Sequence, residues 1–285
     1  MWASVTACHR GRMMFVEPLH DESEIPLVGG DVTEGLVRKG STVRRPVSTS
    51  SARVHQLLQE LERRGFDHAP RYLGTDGDGR QVLTFVTGEV AGRPWPAWVG
   101  DDRRAASVAR LLRRYDDAAE QVGLPAWAVT ASDPPALPSA GPATLLGHRD
   151  ITPENVVFRD EEAAALIDFD LARPSARVEE VANLLLWWGP WMHEDDRQEA
   201  VNGVDPFARG ALLVDAYGLD DDGRRRLVPV SREIADLSWH AMKHRADTLG
   251  GGWQRMWDDG IGDVILRRQA WLAENNDALT AAVRG

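Results

Sequence analysis

The first third of the chain carries its apolar residues in short runs separated by glycine or acidic turns. The stretch 25–46, IPLVGGDVTEGLVRKGSTVRRP, reads as strands joined at Gly29-Gly30, Gly35 and Lys39-Gly40. One helical segment interrupts this pattern. Residues 48–64 begin with serines suited to a cap, place Val54, Leu57, Leu58 and Leu61 on one face, and stop before Gly65. A hairpin follows, from residues 71–74 through the Asp76-Gly77-Asp78-Gly79 turn into 81–86. The period then lengthens. Residues 101–121 predict a long helix with Val108, Leu111, Leu112 and Tyr115 inward, and 125–142, rich in Pro, Ala and Ser, predicts a loop. After one further hairpin (156–158 with 163–167, around the acidic turn 160–162), the pattern is helical from 178 to the end. Breaks fall near Gly189-Pro190, 202–206, 218–223 and 250–252.

The late hairpin organises the chemistry. His148, Asp150 and Asn155 precede it as H-x-D-x-x-x-x-N, and Asp168-Phe169-Asp170 closes it, so the hairpin returns Asp168 to the side of Asn155. A carboxylate that orients a hydroxyl, next to oxygen ligands for magnesium, suits phosphoryl transfer from a nucleotide. Each residue also has an ordinary role available. Asp150 can cap the turn at Thr152-Pro153-Glu154, Asn155 can satisfy its own backbone, and Asp168 can end a strand.

In order and separation these residues resemble the catalytic loop and D-F-G segment of the protein-kinase-like superfamily. More closely, the chain resembles the aminoglycoside phosphotransferase and choline kinase family, in which the third D-F-G position is often not glycine. The resemblance runs from about Glu17 to the end. It implies an α+β, two-lobed fold: an N-terminal nucleotide-binding lobe, 1–87, with a β-sheet and one helix, and a larger helical lobe, 88–285, for catalysis and acceptor binding. Residues 1–14 read as a disordered extension. It further implies ATP or GTP as donor and Mg2+ as cofactor. Asp150 would accept or orient the hydroxyl proton, and Asn155 and Asp168 would hold the metal. Asp170 would join the metal shell or brace the loop, and His148 would brace it rather than donate a proton.

The same resemblance assigns the first lobe. Gly29 and Gly30 stand where a hairpin covers the phosphates, although a glycine pair also serves any tight turn. Arg44 and Arg45 stand where the family carries a phosphate-pairing lysine. Side chains alternate across a strand, so only one of the two enters the cleft. His55 stands near the position of the helix glutamate that pairs with that lysine, with Glu60 and Glu62 beyond it. The hinge run Thr84, Phe85 and Val86 would contact the adenine.

Only residues 171–177 separate Asp170 from the next helix, leaving no room for a peptide-binding activation segment ending in A-P-E. A small-molecule hydroxyl acceptor is therefore expected. Arg149 completes an H-R-D whose partner the sequence does not name. Trp187, Trp188, Trp191, Trp239, Trp253, Trp257 and Trp271 concentrate in the late helices, as core or as a wall of the acceptor pocket. Glu194-Asp195-Asp196 and Asp258-Asp259 are either exposed helix ends or contacts for a cationic acceptor.

Composition narrows these readings. A net charge of −11 argues against nucleic acid or an anionic membrane as partner and is compatible with a cationic acceptor. Cys8 is the one cysteine, which excludes an intrachain disulfide and a paired-cysteine zinc site. The first fourteen residues lack a signal-peptide core and the longest apolar run is too short to span a bilayer, so a cytoplasmic enzyme is expected. Antibiotic resistance is one role such enzymes fill. Lys39 and Lys243 are the only lysines. The missing strand lysine supports a rival reading, a catalytically impaired nucleotide-binding protein of the same fold. A helical binding protein with a coincidental motif is a second rival.

Overall fold

The computed structural model describes residues 23–27 and 35–284. Gly29, Gly30 and the amino-terminal extension lie outside them. An antiparallel sheet with strand order β1-β2-β3-β5-β4 opens the fold, formed by β1 (Ile25–Pro26), β2 (Val37–Lys39), β3 (Thr42–Arg45), β4 (Tyr72–Thr75) and β5 (Gln81–Thr84). Its register sets Arg45 opposite Gln81 and Arg44 opposite Val82. Helix α1 (Ser51–Arg63) covers one face, burying Val54, Leu57, Leu58 and Leu61 as the sequence pattern requires.

The remainder is mainly helical. Helix α2 (Asp102–Val122) starts where the Asp101 carboxylate accepts from the Arg104 amide at 2.9 Å, and it ends at Gly123, whose φ is +68°. Strand β6 (Leu145–Gly147) pairs with β9 (Arg173–Ser175). Between them lies the hairpin of β7 (Val156–Arg159) and β8 (Glu162–Leu166). Helices α3 (Arg177–Trp187), α4 (Pro206–Tyr217), α5 (Asp221–Leu249), α6 (Gly251–Asp258), α7 (Ile261–Glu274) and α8 (Asn276–Arg284) follow. Their boundaries have local causes: Asp205 caps α4 ahead of Pro206, Gly218 ends it in the left-handed conformation, and Asp220 caps α5.

One apolar core runs through both parts, from Leu57 and Leu61 on α1 through Leu111 and Tyr115 on α2 to Leu184, Trp188 and Leu213. Trp188 and Trp191 are fully buried, which settles the core role for these two. Two backbone connections tie the sheet to the hairpin. Glu89 and Phe158 exchange hydrogen bonds of 2.9 and 2.7 Å, and the Leu166 amide donates to His68 O at 2.9 Å. Gly88 makes the first possible, because a Cβ there would run into Val157 and the Phe158 carbonyl.

Candidate active site

Strand β6 delivers the chain to the 148–155 loop directly against α3. Gly147 is required there, since a side chain would collide with the Glu180 carboxylate. His148 is fully buried, and its Nε2 lies 3.0 Å from the Ile167 carbonyl, to which it donates. Tyr115 and Phe169 flank its ring, with centroids at 6.2 and 4.5 Å. Burial pushes the imidazole pKa down to about 4, so the ring is neutral at neutral pH. His148 thus braces the loop against the strand end beyond β8, as the sequence reading expects.

Arg149 has φ +65° and its side chain turns inward. Its guanidinium lies 3.3 Å from Glu179 and 3.7 Å from Glu180, and its amide donates to Glu180 at 3.2 Å. These two α3 carboxylates are the partners that sequence spacing could not supply. The left-handed conformation is unfavourable for arginine by about 1–2 kcal/mol, and the paired buried charges hold it. Helix α3 also clamps the next residue. The Ile151 amide donates to Asn183 Oδ1 at 2.8 Å, and Trp188 Nε1 donates to the Ile151 carbonyl at 2.9 Å.

Asp150 emerges from this brace beside the motif's asparagine. Asn155 Nδ2 donates to Asp150 Oδ2 at 2.9 Å and to its carbonyl at 3.0 Å, while the Ile167 amide donates to the Asn155 carbonyl at 2.9 Å. The hairpin therefore does return residue 168 to residue 155. Burial first, and then the charge of Asp168, raise the Asp150 carboxyl to about 7, against the opposing hydrogen bond from Asn155. Helix capping plays no part in its geometry: among the described residues its side chain is hydrogen-bonded to Asn155 alone.

Arg45 is the arginine that enters the cleft. Its guanidinium is 3.2 Å from Asp168 and also bonds Asp170, while Arg44 points to the other face, toward Asp76 at 3.5 Å and Thr42. Pleat alternation sends the two arginines to opposite sides, so one of the pair faces the cleft, and the register makes it Arg45. Neither helix acid reaches them: Glu60 pairs with Arg63 and Arg64, and Glu62 pairs with Arg71. His55 instead stacks on Tyr72 at 3.7 Å and meets Gln81 at 2.8 Å. Burial and Asp168 raise the Asp170 carboxyl, with Arg45 opposing the rise.

Among the described residues no three carboxylate, imidazole or thiol groups converge as a metal cage. Asp168, Asp170 and the Asn155 amide oxygen nevertheless form a donor set of hard oxygens, and the Asp168 side chain keeps 36 % exposure. Magnesium commonly takes one or two carboxylates together with phosphate oxygens and water, so this set fits it. At the expected hinge, the Thr84 amide donates to Arg71 O and the Phe85 amide to Ser41 O, which uses both within the sheet. Val86 forms no backbone–backbone hydrogen bond among the described residues, and the Arg38 guanidinium lies 4.0 Å over the Phe85 ring. On the helical side Asp196 is taken by Arg267 and Asp258 accepts from Gln254, while Glu194, Asp195 and Asp259 are exposed, as the helix-end reading expects.

Comparison with known proteins agrees with this fold. The model of the phosphotransferase enzyme family matches residues 97–213. A trifolitoxin immunity protein of Rhizobium leguminosarum bv. trifolii is 32 % identical over 269 residues, spanning 91 % of this chain and 98 % of its own. Among solved structures, a choline/ethanolamine kinase family protein from Mesorhizobium loti superposes with a TM-score of 0.57 at 16 % identity, covering 93 % of each chain. A gentamicin complex of APH(2")-IIa gives 0.54 at 10 % identity, covering 90 % of this chain and 93 % of that one. The GDP complex of aminoglycoside 2'-phosphotransferase-IIIa gives 0.50 at 16 % identity and 92 % of each chain.

Proposed function

The chain belongs to the phosphotransferase enzyme family, and from that premise we propose that it transfers the terminal phosphate of ATP or GTP to a hydroxyl of a small molecule. The observation that carries the reading is the meeting of Asp150, Asn155 and Asp168 around one hairpin, with Asp150 raised to about 7. Asn155 holds one oxygen of Asp150, leaving the other to take a hydrogen bond from the acceptor hydroxyl and draw its proton as the oxygen attacks. Asp168, Asp170 and Asn155 are the residues for magnesium, which when bound neutralises charge on the donor phosphates. Arg45 is the cation on the first lobe for those phosphates, standing in for the usual lysine. The hinge contacts at Thr84, Phe85 and Val86, the phosphate cover at Gly29 and Gly30, and the lobe boundary after residue 87 belong to the same proposal.

Solved relatives of the fold include nucleotide and gentamicin complexes, which agrees with a nucleotide donor and a small acceptor. No helix among the described residues is long and apolar enough to cross a membrane, which suits a cytoplasmic enzyme. The relative's name, an immunity protein, agrees with an acceptor whose phosphorylation removes its toxicity, a form of resistance. A second reading has one observation in its favour. Arg45 binds Asp168 and Asp170 itself, as expected of a protein that binds nucleotide without transferring phosphate.

Calorimetric titration with ATP and GTP, with and without Mg2+, on the wild type and Asp168→Ala tests the donor site. Metal-dependent binding lost in the variant supports it, and absence of nucleotide binding to the wild type would sink the proposal. Phosphate transfer to any hydroxyl compound, absent in Asp150→Asn, separates the two readings.

A further inference from the structure

A closed circuit of contacts runs beside Asp150. The amide of Ile151, next in the chain, donates to Asn183 Oδ1 on α3 at 2.8 Å. Trp187 follows Asn183 by four residues, so the two share one face of that helix. The Trp187 ring meets Trp95 edge-on, with centroids 6.4 Å apart, and Trp95 Nε1 donates to Glu154 Oε1 at 2.8 Å. Glu154 adjoins Asn155, whose Nδ2 returns to Asp150 Oδ2 at 2.9 Å. Every link is a chain neighbour, a helical turn, a ring contact or a hydrogen bond, so these groups stand together around the carboxylate.

Three polar groups of the circuit are left over. An asparagine amide carries an oxygen on one side and an NH2 on the other, and only the oxygen can accept from Ile151, so the NH2 is turned away from the loop backbone in a fixed direction. Among the described residues it meets no partner, and it stays open to solvent. Trp187 Nε1 and Glu154 Oε2 are buried without a hydrogen bond, on residues that each keep part of their surface exposed. A buried polar atom left in this way is costly, and a ligand group that pairs with it removes the cost. Hydroxyls match two unused N–H groups and one unused oxygen, because each hydroxyl both donates and accepts. An ammonium only donates, and would meet the N–H groups with like polarity. The neighbouring acids do not call for a cation: Glu154 is paired with Arg93, and Asp168 and Asp170 with Arg45, while Asp150 keeps its second oxygen for the reacting hydroxyl. We infer that the circuit is the seat of the acceptor and takes a neutral polyhydroxyl compound, with Asn183 donating to an oxygen beside the hydroxyl held at Asp150. This rests on the phosphotransferase reading, because it takes Asp150 as the point at which the reacting hydroxyl is held.

The test measures phosphate transfer from ATP with Mg2+ on the full chain, after binding of ATP and Mg2+ has been measured by calorimetry. Glycerol, D-glucose and D-galactose are the acceptors, each beside the analogue with one hydroxyl replaced by an amine: 3-aminopropane-1,2-diol, D-glucosamine and D-galactosamine. The expected result is that at least one polyol is phosphorylated with kcat/KM about tenfold above its amine, as one hydrogen bond gained or lost supplies. Asn183→Asp keeps the oxygen that accepts from Ile151 and trades the NH2 for a charged oxygen. It should raise KM for the polyol about tenfold and turn the preference toward the amine, with kcat altered much less. A residue that only holds the loop would leave both KM and the preference unchanged in this variant. Asn183→Ala, which loses the loop contact as well, should also lower kcat, and melting temperatures show that both variants fold. Absence of transfer to all three polyols, amines accepted as well as polyols, or a preference that survives Asn183→Asp each overturns the polyol seat. Failure of ATP and Mg2+ to bind would instead overturn the phosphotransferase reading, so the two failures are told apart.

Discussion

Arg45, at the end of β3, reaches across the cleft to Asp170 and stands 3.2 Å from Asp168, so one guanidinium joins the sheet to both acids of the Asp-Phe-Asp segment. In Arg45→Ala the two carboxylates face each other without a cation. Partial exposure of Asp168 screens part of the loss, which leaves about 1–3 kcal/mol at neutral pH. Asp170 already has a raised pKa in the folded state, and removing Arg45 raises it further. The loss should therefore grow as pH rises and shrink in acid, where Asp170 is protonated. Chemical denaturation at pH 5 and pH 8 reads this difference. Mg2+ should recover stability in the variant more than in the wild type, because the metal takes the place of the guanidinium.

On the proposed function, a base with a pKa of about 7 gives the transfer reaction a pH profile. Below that value Asp150 holds a proton and cannot take one, so kcat/KM should fall about tenfold per pH unit in acid, with an apparent pKa near 7. The charge of Asp168 is one cause of the elevation. Magnesium beside Asp168 cancels it, so the kcat profile of the metal-nucleotide complex should break at lower pH than the kcat/KM profile.

The same elevation is a standing instability. Between the unfolded carboxylate value, about 3.9, and about 7, the folded chain binds a proton that the unfolded chain has released, so stability falls as pH rises through this window. Asp150→Asn should be more stable than the wild type at pH 8, by on the order of 2 kcal/mol after solvent screening, and nearly equal to it at pH 4. A variant less stable at both pH values would show that the carboxylate is not strained by burial.

His148 acts in the opposite direction. Its folded pKa of about 4 lies below the ordinary 6.5, so as pH falls through 6.5 the unfolded chain takes up a proton that the folded chain refuses. Stability should decline from pH 6.5 to 4 by up to about 3 kcal/mol from this group. His148→Gln, which keeps a donor for the Ile167 carbonyl, should flatten that decline in a pH series of melting temperatures.

Gly88 offers a purely steric test. A methyl group there meets Val157 and the Phe158 carbonyl, whereas one at Gly203 meets nothing within 4 Å. Gly88→Ala should lose about 2–4 kcal/mol through overpacking at the sheet-to-hairpin connection, and Gly203→Ala should stay within about 0.5 kcal/mol of the wild type. Equal denaturation midpoints for the two variants would contradict the packing described.

What the sequence made legible was local. The α1 and α2 faces, the two hairpins and the return of residue 168 to Asn155 all follow from periodicity and turn residues within a few dozen positions. The β6 and β9 pairing was not legible, because three-residue strands carry no alternation to read. Alternation showed that one of Arg44 and Arg45 faces inward, but the choice rests on the parity set by the Arg45 and Gln81 register. The partners of Arg149 lie about thirty residues away on α3, among many acids of equal sequence merit.

The anchoring of Arg149 has a further meaning. Its counter-ions, Glu179 and Glu180, are encoded in the chain and sealed inside it, so no separate modification is required to supply them. The catalytic loop is consequently set from the moment of folding, without an off position built around this arginine. Under the proposed phosphotransferase reading, output then follows the amount of protein made and the supply of donor and acceptor.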